Sequence, residues 1–159
     1  MRMAMEKTNV CRLLEQKKVA YEEVYLEGAE SLTGVEIAAK LKENPAQAFK
    51  TLVTEGKTKN HYVFVIPVGE NLDLKKAAKA VGEKSIDMLK QKDLLPLTGY
   101  VHGGCSPIGM KKQFVTVIDA SAQNFDKIYF SAGKIGHQVL VALADLPKMF
   151  RHSFADVLV

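Results

Sequence analysis

Apolar residues recur at helical spacing in three segments of the chain, and each segment follows a residue that commonly caps helices. The clearest start is a T-x-x-E capping box at Thr33 and Glu36, in which each side chain can bond the other residue's backbone amide. Gly82 follows the third segment at the position where a left-handed residue ends a helix. The predicted helices cover residues 9–17, the stretch after Thr33 and residues 74–81, with shorter helical turns near residues 93–97 and 145–150.

Runs rich in β-branched and aromatic residues separate these helices and predict strands. The clearest hairpin pairs residues 49–54 with residues 61–68 across the polar segment EGKTKN. Further strands are predicted over residues 19–26, 85–88, 114–118, 128–131 and 138–142. Helices and hairpins are mixed without regular βαβ alternation. We therefore expect an α/β (α+β) fold with a mixed, strongly curved sheet or partly closed barrel surrounded by helices.

Length and composition predict one globular domain over residues 1–159. The chain has 159 residues, of which 47% are apolar and 25% are charged, and it contains no internal repeat or linker. No apolar run is long enough for a signal peptide or a membrane span, so a cytoplasmic protein without membrane contact is expected. Two cysteines and four scattered histidines provide no disulfide framework and no zinc spacing, and neither a metal nor a cofactor is expected.

The segment GGCSPIGMKK, residues 103–112, has a composition that a packed core does not require. Gly103 and Gly104 permit positive φ and close approach of a ligand to the backbone, and Pro107 restricts φ. Such a loop can direct several amide N–H groups at an anion or a carbonyl oxygen, although a tight connection between strands explains the same residues. A second glycine-rich turn, SAGKIG, follows at residues 131–136, and we expect both turns to meet Lys50 at one mouth.

Lysines are the other candidate functional residues. Lys50 interrupts the first strand of the predicted hairpin, where its ammonium either points to water or enters a cleft as a point charge for a phosphate or carbonyl. The net charge is +4, and many lysines fall within residues 75–112. They form either solvated helix faces or a surface that follows a phosphate backbone.

The strand lysine in FKTLV, the loop GGCSPIGMKK and the turn SAGKIG, in this order, resemble the YbaK/EbsC family of aminoacyl-tRNA editing domains. The resemblance covers nearly the whole chain. It implies a single α/β domain related to the editing domain inserted in some prolyl-tRNA synthetases. It also implies hydrolysis of the ester that joins a wrong amino acid to the terminal adenosine of tRNA, as in the Cys-tRNA(Pro)/Cys-tRNA(Cys) deacylases of the YbaK branch. A prolyl-tRNA synthetase is the implied partner that selects the tRNA.

The resemblance also assigns roles to individual residues. Lys50 matches the family's functional lysine, and Gly103 and Pro107 match the ends of its GxxxP loop, whose backbone lines the acyl pocket. In the YbaK branch the substrate's cysteine thiol attacks its own ester to form a thiolactone, so the protein mainly positions the substrate and stabilises the oxyanion. Ser131 and Gly133 match the family's second pocket turn, and Tyr25 fits a pocket-wall position. Beyond these matches we expect four further substrate-binding residues and three lysines that contact tRNA phosphates. The substrate-binding residues are Thr51, Gly104, Cys105 and Ser106, and the lysines are Lys111, Lys112 and Lys134.

Three alternatives remain open on the sequence. Cys105 could itself act as a thiolate nucleophile, with His102 three residues before it as the base. The chain could instead be a basic module that binds tRNA or a synthetase without catalysis. Finally, the acyl group could be alanine or another small amino acid, because relatives with other substrates share the lysine and the GxxxP loop.

Overall fold

The fold of residues 7–159 is described from a computed structural model, in which eight strands form two sheets. The helices are α1 (Asn9–Gln16), α2 (Gly34–Lys40), α3 (Leu74–Val81) and α4 (Gln91–Thr98). The strands are β1 (Tyr21–Tyr25), β2 (Phe49–Gly56), β3 (His61–Pro67), β4 (Ile86–Met88), β5 (Val115–Asp119), β6 (Lys127–Lys134), β7 (His137–Ala142) and β8 (Ser153–Ala155). Short 3₁₀ turns cover Ala29–Ser31, Ala120–Asn124 and Leu143–Lys148.

The capping residues act as the sequence predicts. Thr33 Oγ1 accepts from the Glu36 amide at 3.1 Å and the Thr33 amide donates to Glu36 Oε1 at 2.9 Å, which completes the capping box of α2. Asp73 accepts from two amides of the first turn of α3, and Gly82 ends that helix with a φ of 75°. The predicted turn at residues 93–97 is part of the longer helix α4, which contains Pro96.

The two sheets differ in composition and strand direction. One is antiparallel with the order β1-β7-β6, and the other has the order β4-β2-β3-β5-β8. In the second sheet β2 pairs antiparallel with β3 and β4, whereas β5 runs parallel to β3 and β8. The mixed α/β class expected from the sequence is confirmed.

The largest differences from the sequence-based expectation are the end of β6 and the additional strand β8. β6 continues to Lys134 through an irregular register between Ser131 and Lys134, so the predicted turn SAGKIG shrinks to residues 135–136. Gly133 allows this because it adopts a φ of 102° within the strand. β8 was not predicted, because three residues that pair with only one neighbouring strand carry little alternation.

Strand β3 is buried on both faces and separates two hydrophobic clusters. Val63 and Val65 face the larger cluster, which lies between the two sheets and α1, whereas Phe64 and Ile66 face a smaller cluster under α3. The larger cluster contains residues from Val10 in α1 to Phe150 near the C-terminus. The larger cluster therefore connects distant parts of the chain and supports the elements that surround Lys50.

Candidate active site

A single parallel bridge between Ala48 and Tyr129 connects the start of β2 to β6 and so joins the two sheets. The Tyr129 amide donates to the Gln47 carbonyl oxygen at 3.1 Å at this junction. Lys50 and Ser131 each lie two residues beyond this bridge, so both are close to the junction of the two sheets. Phe49 and Phe130, which precede them, belong to the larger cluster. Because side chains alternate along a strand, Lys50 and Ser131 each lie on the outer face of their own strand, which is turned away from this cluster.

Lys50 is half-buried rather than a freely solvated strand lysine. Its cross-strand neighbour is Ile66, a fully buried residue of the smaller cluster. Burial lowers the pKa of Lys50, and the negative charge of Glu70 partly opposes that effect. The ammonium is therefore a partly desolvated cation on the outer face of β2, where its attraction for an anion is stronger than in open water.

The glycine loop and the end of β6 are joined through Ser131. The Ser131 hydroxyl donates to the Gly104 carbonyl oxygen at 3.1 Å and accepts from the Gly133 amide at 3.0 Å. Gly103 adopts a φ of 86°, as its sequence context predicts. Gly104 has no positive φ, but a Cβ there would lie 3.3 Å from the Ile135 amide nitrogen. The loop thus meets the second turn by backbone contact, which a side chain at residue 104 would obstruct.

The amides of the loop are not all available to a ligand. The Gly104 amide donates to the Val101 carbonyl oxygen at 3.0 Å and closes the turn that precedes the loop. Within residues 7–159, the amides of Cys105 and Ser106 have no such acceptor. These two amides are the candidate donors to an anionic or carbonyl oxygen.

Tyr100 packs against the glycine loop and holds it in place, and the sequence did not identify this residue. Its hydroxyl donates to the Ile108 carbonyl oxygen at 2.5 Å. A Cβ on Gly133 would lie 3.1 Å from Tyr100 Cε1, and one on Gly109 would lie 2.9 Å from the Tyr100 hydroxyl. Gly109 in the loop and Gly133 in β6 both leave room for the Tyr100 ring. The ring therefore fixes the loop relative to β6. A lone half-buried tyrosine carries no sequence signal for such a role.

Cys105 points away from the candidate site. Its side chain is 7% exposed and belongs to the larger hydrophobic cluster, whereas the neighbouring Gly104 carbonyl faces Ser131. Burial raises the pKa of the Cys105 thiol to about 12, so the thiol is protonated at neutral pH. His102 is exposed and, among the described residues, forms no hydrogen bond with Cys105. The geometry opposes the thiolate mechanism that the sequence left open.

A buried carboxylate on the outer face of β7 was also missed. Gln138 is the register partner of Ser131 and faces Glu43, which is 8% exposed. With its nitrogen turned towards Glu43, the Gln138 amide donates to Oε1 at 3.0 Å. Burial raises the pKa of Glu43 to about 7, although the Gln138 hydrogen bond opposes this change. Glu43 follows α2 in a polar loop, and nothing in its sequence context distinguishes it from a solvated residue.

Two of the expected pocket residues lie apart from Ser131. The pairing register places Val24, rather than Tyr25, on the face of Gln138. Tyr25 is 44% exposed, and its ring meets the His137 ring edge-on with 5.4 Å between the ring centroids. Thr51 alternates with Lys50 and shares the inner face with Phe49. The Thr51 hydroxyl is buried and has no hydrogen-bond partner within residues 7–159.

The three expected phosphate contacts are all exposed but have different surroundings. Lys111 packs against Gly99 and donates from Nζ to the Pro96 carbonyl oxygen at 3.3 Å, so it caps the end of α4. Lys112 follows it on the surface, and Lys134 lies at the end of β6. Among the described residues no group of histidine, cysteine and carboxylate side chains could hold a metal ion, and no helix is long and apolar enough to cross a membrane.

Comparison with known proteins identifies the family of this chain. The chain is 44% identical over 153 residues to EbsC of Enterococcus faecalis, named as a candidate Cys-tRNA(Pro)/Cys-tRNA(Cys) deacylase, and the match covers 96% of this chain and 93% of the relative. A crystal structure of a candidate trans-editing enzyme for prolyl-tRNA synthetase superposes with a TM-score of 0.80 at 21% identity, over 97% of this chain and 99% of the other. A crystal structure of a protein without assigned function gives a TM-score of 0.85 at 22% identity, over 97% of this chain and 100% of the other. At these low identities the two structural matches show a shared fold and nothing further.

The family model of the aminoacyl-tRNA editing domain matches residues 29–149, which contain Lys50, the glycine loop and the end of β6. The chain therefore belongs to the aminoacyl-tRNA editing domain family.

Proposed function

We propose that this protein hydrolyses the ester bond of mischarged tRNA in the cytoplasm, with Cys-tRNA(Pro) as its main substrate. The observation that carries the proposal is the half-buried Lys50, two residues beyond the bridge that joins β2 to β6, the strand whose Ser131 bonds the glycine loop. The 44% identity to a candidate Cys-tRNA(Pro)/Cys-tRNA(Cys) deacylase supports cysteine as the acyl group. Because one hydrophobic cluster connects residues from Val10 to Phe150, we treat residues 1–159 as one editing domain.

In this proposal Lys50 holds the acceptor end of the tRNA. Its ammonium is a point charge that can contact the terminal phosphate or the ester carbonyl. Partial burial makes that contact stronger than a contact at an open surface. The bridge between Ala48 and Tyr129 supports this role, because Ser131, which bonds the Gly104 carbonyl, follows Tyr129 by the same two residues by which Lys50 follows Ala48.

The glycine loop supplies electrostatic stabilisation to the reacting ester. When the substrate's thiol attacks its own ester carbonyl, negative charge develops on the carbonyl oxygen. The amides of Cys105 and Ser106 have no backbone acceptor within residues 7–159 and can donate to that oxygen. Since Ser131 and Tyr100 hold the loop in place, these donors need not reorganise during the reaction.

The same arrangement gives the substrate's thiol the role of nucleophile. The Cys105 thiol is buried in the core and protonated at neutral pH, so it does not compete for that role. An intramolecular attack needs only the correct bent conformer of the cysteinyl ester, and a rigid pocket selects that conformer. The ester bond breaks as the thiolactone forms, and the terminal hydroxyl of the tRNA takes up the proton released by the thiol.

Prolyl-tRNA synthetase is the proposed partner that selects the tRNA, because this chain contains no recognisable module for reading an anticodon. The experiment that tests the function is hydrolysis of labelled Cys-tRNA(Pro), Ala-tRNA(Pro) and Ser-tRNA(Pro) by the isolated protein. Rapid loss of the cysteinyl ester with slow loss of the seryl ester is expected, because oxygen is a poorer nucleophile than sulfur. Protection of all three esters from spontaneous hydrolysis would instead identify a binding module.

A further inference from the structure

A cleft of about 300 Å³ lies beside the end of β6. It is lined by residues from the start of α1, the end of α4 and β6. Its floor is formed largely by backbone and small side chains, because Gly99, Ala132 and Gly133 line it together with Tyr100. The remaining lining residues are Lys7, Thr8, Asn9, Val10, Arg12 and Lys134.

Among residues 7–159, three cations line this cleft, and one of these three has a carboxylate partner within that range. Lys7 Nζ lies 2.7 Å from Glu15 Oε1, and the side chain of Lys7 remains 54% exposed. Arg12 and Lys134 are exposed, and neither has a carboxylate within ion-pair distance among residues 7–159. Unpaired like charges around a concave surface concentrate positive potential there, so the cleft attracts an anion.

The cleft is structurally continuous with the candidate acyl site. Gly133 lines the cleft, while its amide donates to Ser131 Oγ at 3.0 Å, and the Ser131 hydroxyl bonds the Gly104 carbonyl. Tyr100 lines the cleft with its ring and fixes the loop through its hydroxyl. Gly133 and Tyr100 therefore take part in both the cleft and the candidate acyl site.

We propose that this cleft binds a backbone phosphodiester of the tRNA 3′ strand through Arg12 and Lys134, while the terminal aminoacyl-adenosine occupies the site at Lys50. This inference rests on the proposed function, because it concerns the rest of the same substrate. Arg12 provides a planar set of donors that suits two phosphate oxygens, and Lys134 provides a point charge at the rim. The contacts position the substrate and carry no base information.

The role of Lys134 differs from that of Lys111, although both were expected to contact phosphate. The Lys111 ammonium is already bonded to the Pro96 carbonyl oxygen at 3.3 Å. Lys134 has no protein partner among the described residues, so it loses no interaction when it binds a phosphate. We expect the larger contribution to tRNA binding from Lys134.

The test uses the full chain with Arg12→Gln and Lys134→Gln, which retain much of the side-chain length but remove the charge. Lys57→Gln, at an exposed lysine outside the cleft and outside the lysine-rich span of residues 75–112, is the matched control. The affinity for uncharged tRNA(Pro) is measured at several salt concentrations. Each cleft variant should bind about five- to tenfold more weakly and reduce the slope of log affinity against log salt by about 1, whereas the control changes little.

A second measurement separates the cleft from the acyl site. The 3′-cysteinyl ester of adenosine contains no phosphodiester, so both cleft variants should hydrolyse it at the wild-type rate. With Cys-tRNA(Pro), the same variants should raise KM about five- to tenfold and leave kcat unchanged. Equal losses on both esters, or unchanged affinity for tRNA, would overturn the assignment of the cleft. If the wild-type protein hydrolyses neither ester, the proposed function fails, and the binding measurement still decides the cleft.

Discussion

Replacing Glu43 with glutamine should remove a pH-dependent loss of stability. Glu43 is 8% exposed and lies against Gln138 on the outer face of β7, where burial raises the pKa of its carboxyl to about 7. The unfolded chain exposes the same carboxyl, whose ordinary pKa is 4.5. Between these two values the folded protein binds more protons than the unfolded chain, so the free energy of unfolding falls as the pH rises.

The magnitude follows from the two pKa values. A tenfold change in proton affinity corresponds to about 1.36 kcal/mol, so the interval from 4.5 to about 7 gives an upper limit of about 3 kcal/mol. The loss begins above the unfolded value of 4.5 and is complete above pH 7. The other titratable groups in this region are Tyr129, whose pKa is raised by burial and by the charges of Glu43 and Glu22, and Glu22 itself.

The assay is urea unfolding of the wild type and Glu43→Gln at pH 5, 6, 7 and 8, with exposed Glu30→Gln as the control. Glu43→Gln should match the wild type within about 1 kcal/mol at pH 5 and exceed its stability by about 1 to 3 kcal/mol at pH 8. The control should follow the wild type throughout. A difference between wild type and Glu43→Gln that stays constant with pH, or that favours the wild type at pH 8, would refute the reasoning.

Further predictions concern the loop and its thiol. Cys105→Ala should keep at least half of the wild-type deacylation rate, because the thiol is buried and its pKa of about 12 leaves it protonated; an acyl adduct trapped on Cys105 would contradict this. Gly104→Ala should lower the free energy of unfolding by about 1 to 3 kcal/mol and reduce deacylation, since the new Cβ would lie 3.3 Å from a backbone nitrogen that must shift. Its control, Gly82→Ala, meets no atom within 4 Å and should cost about 1 kcal/mol through its positive φ, without loss of activity.

Local sequence signals predict the secondary structure well where a residue has one characteristic role, such as capping a helix or forming the turn of a hairpin. The capping box of α2, the caps of α3 and the hairpin of β2 and β3 lie where the pattern indicates. β6 continues beyond its expected end, because Gly133 was interpreted as part of a turn although it accommodates an irregularity within the strand. The strong curvature of the sheet stays a prediction.

The site itself was only partly accessible from the sequence. Lys50 and the glycine loop stand out because a lysine inside a strand and adjacent glycines are unusual in a packed core. Glu43 and Tyr100 carry no such mark, since their importance arises from contacts with residues distant in sequence, Gln138 for one and Gly133 for the other. The bridge between Ala48 and Tyr129, which joins the strands of Lys50 and Ser131, likewise depends on the tertiary fold.

The most direct test of the account is the rate at which Lys50→Ala hydrolyses Cys-tRNA(Pro), compared with the wild type and with exposed Lys57→Ala. Circular dichroism and urea unfolding establish that each variant is folded. We predict a loss of about 100-fold or more for Lys50→Ala, because a partly desolvated cation no longer holds the substrate, and an unchanged rate for Lys57→Ala. A folded Lys50→Ala variant that hydrolyses Cys-tRNA(Pro) at the wild-type rate would contradict the central claim.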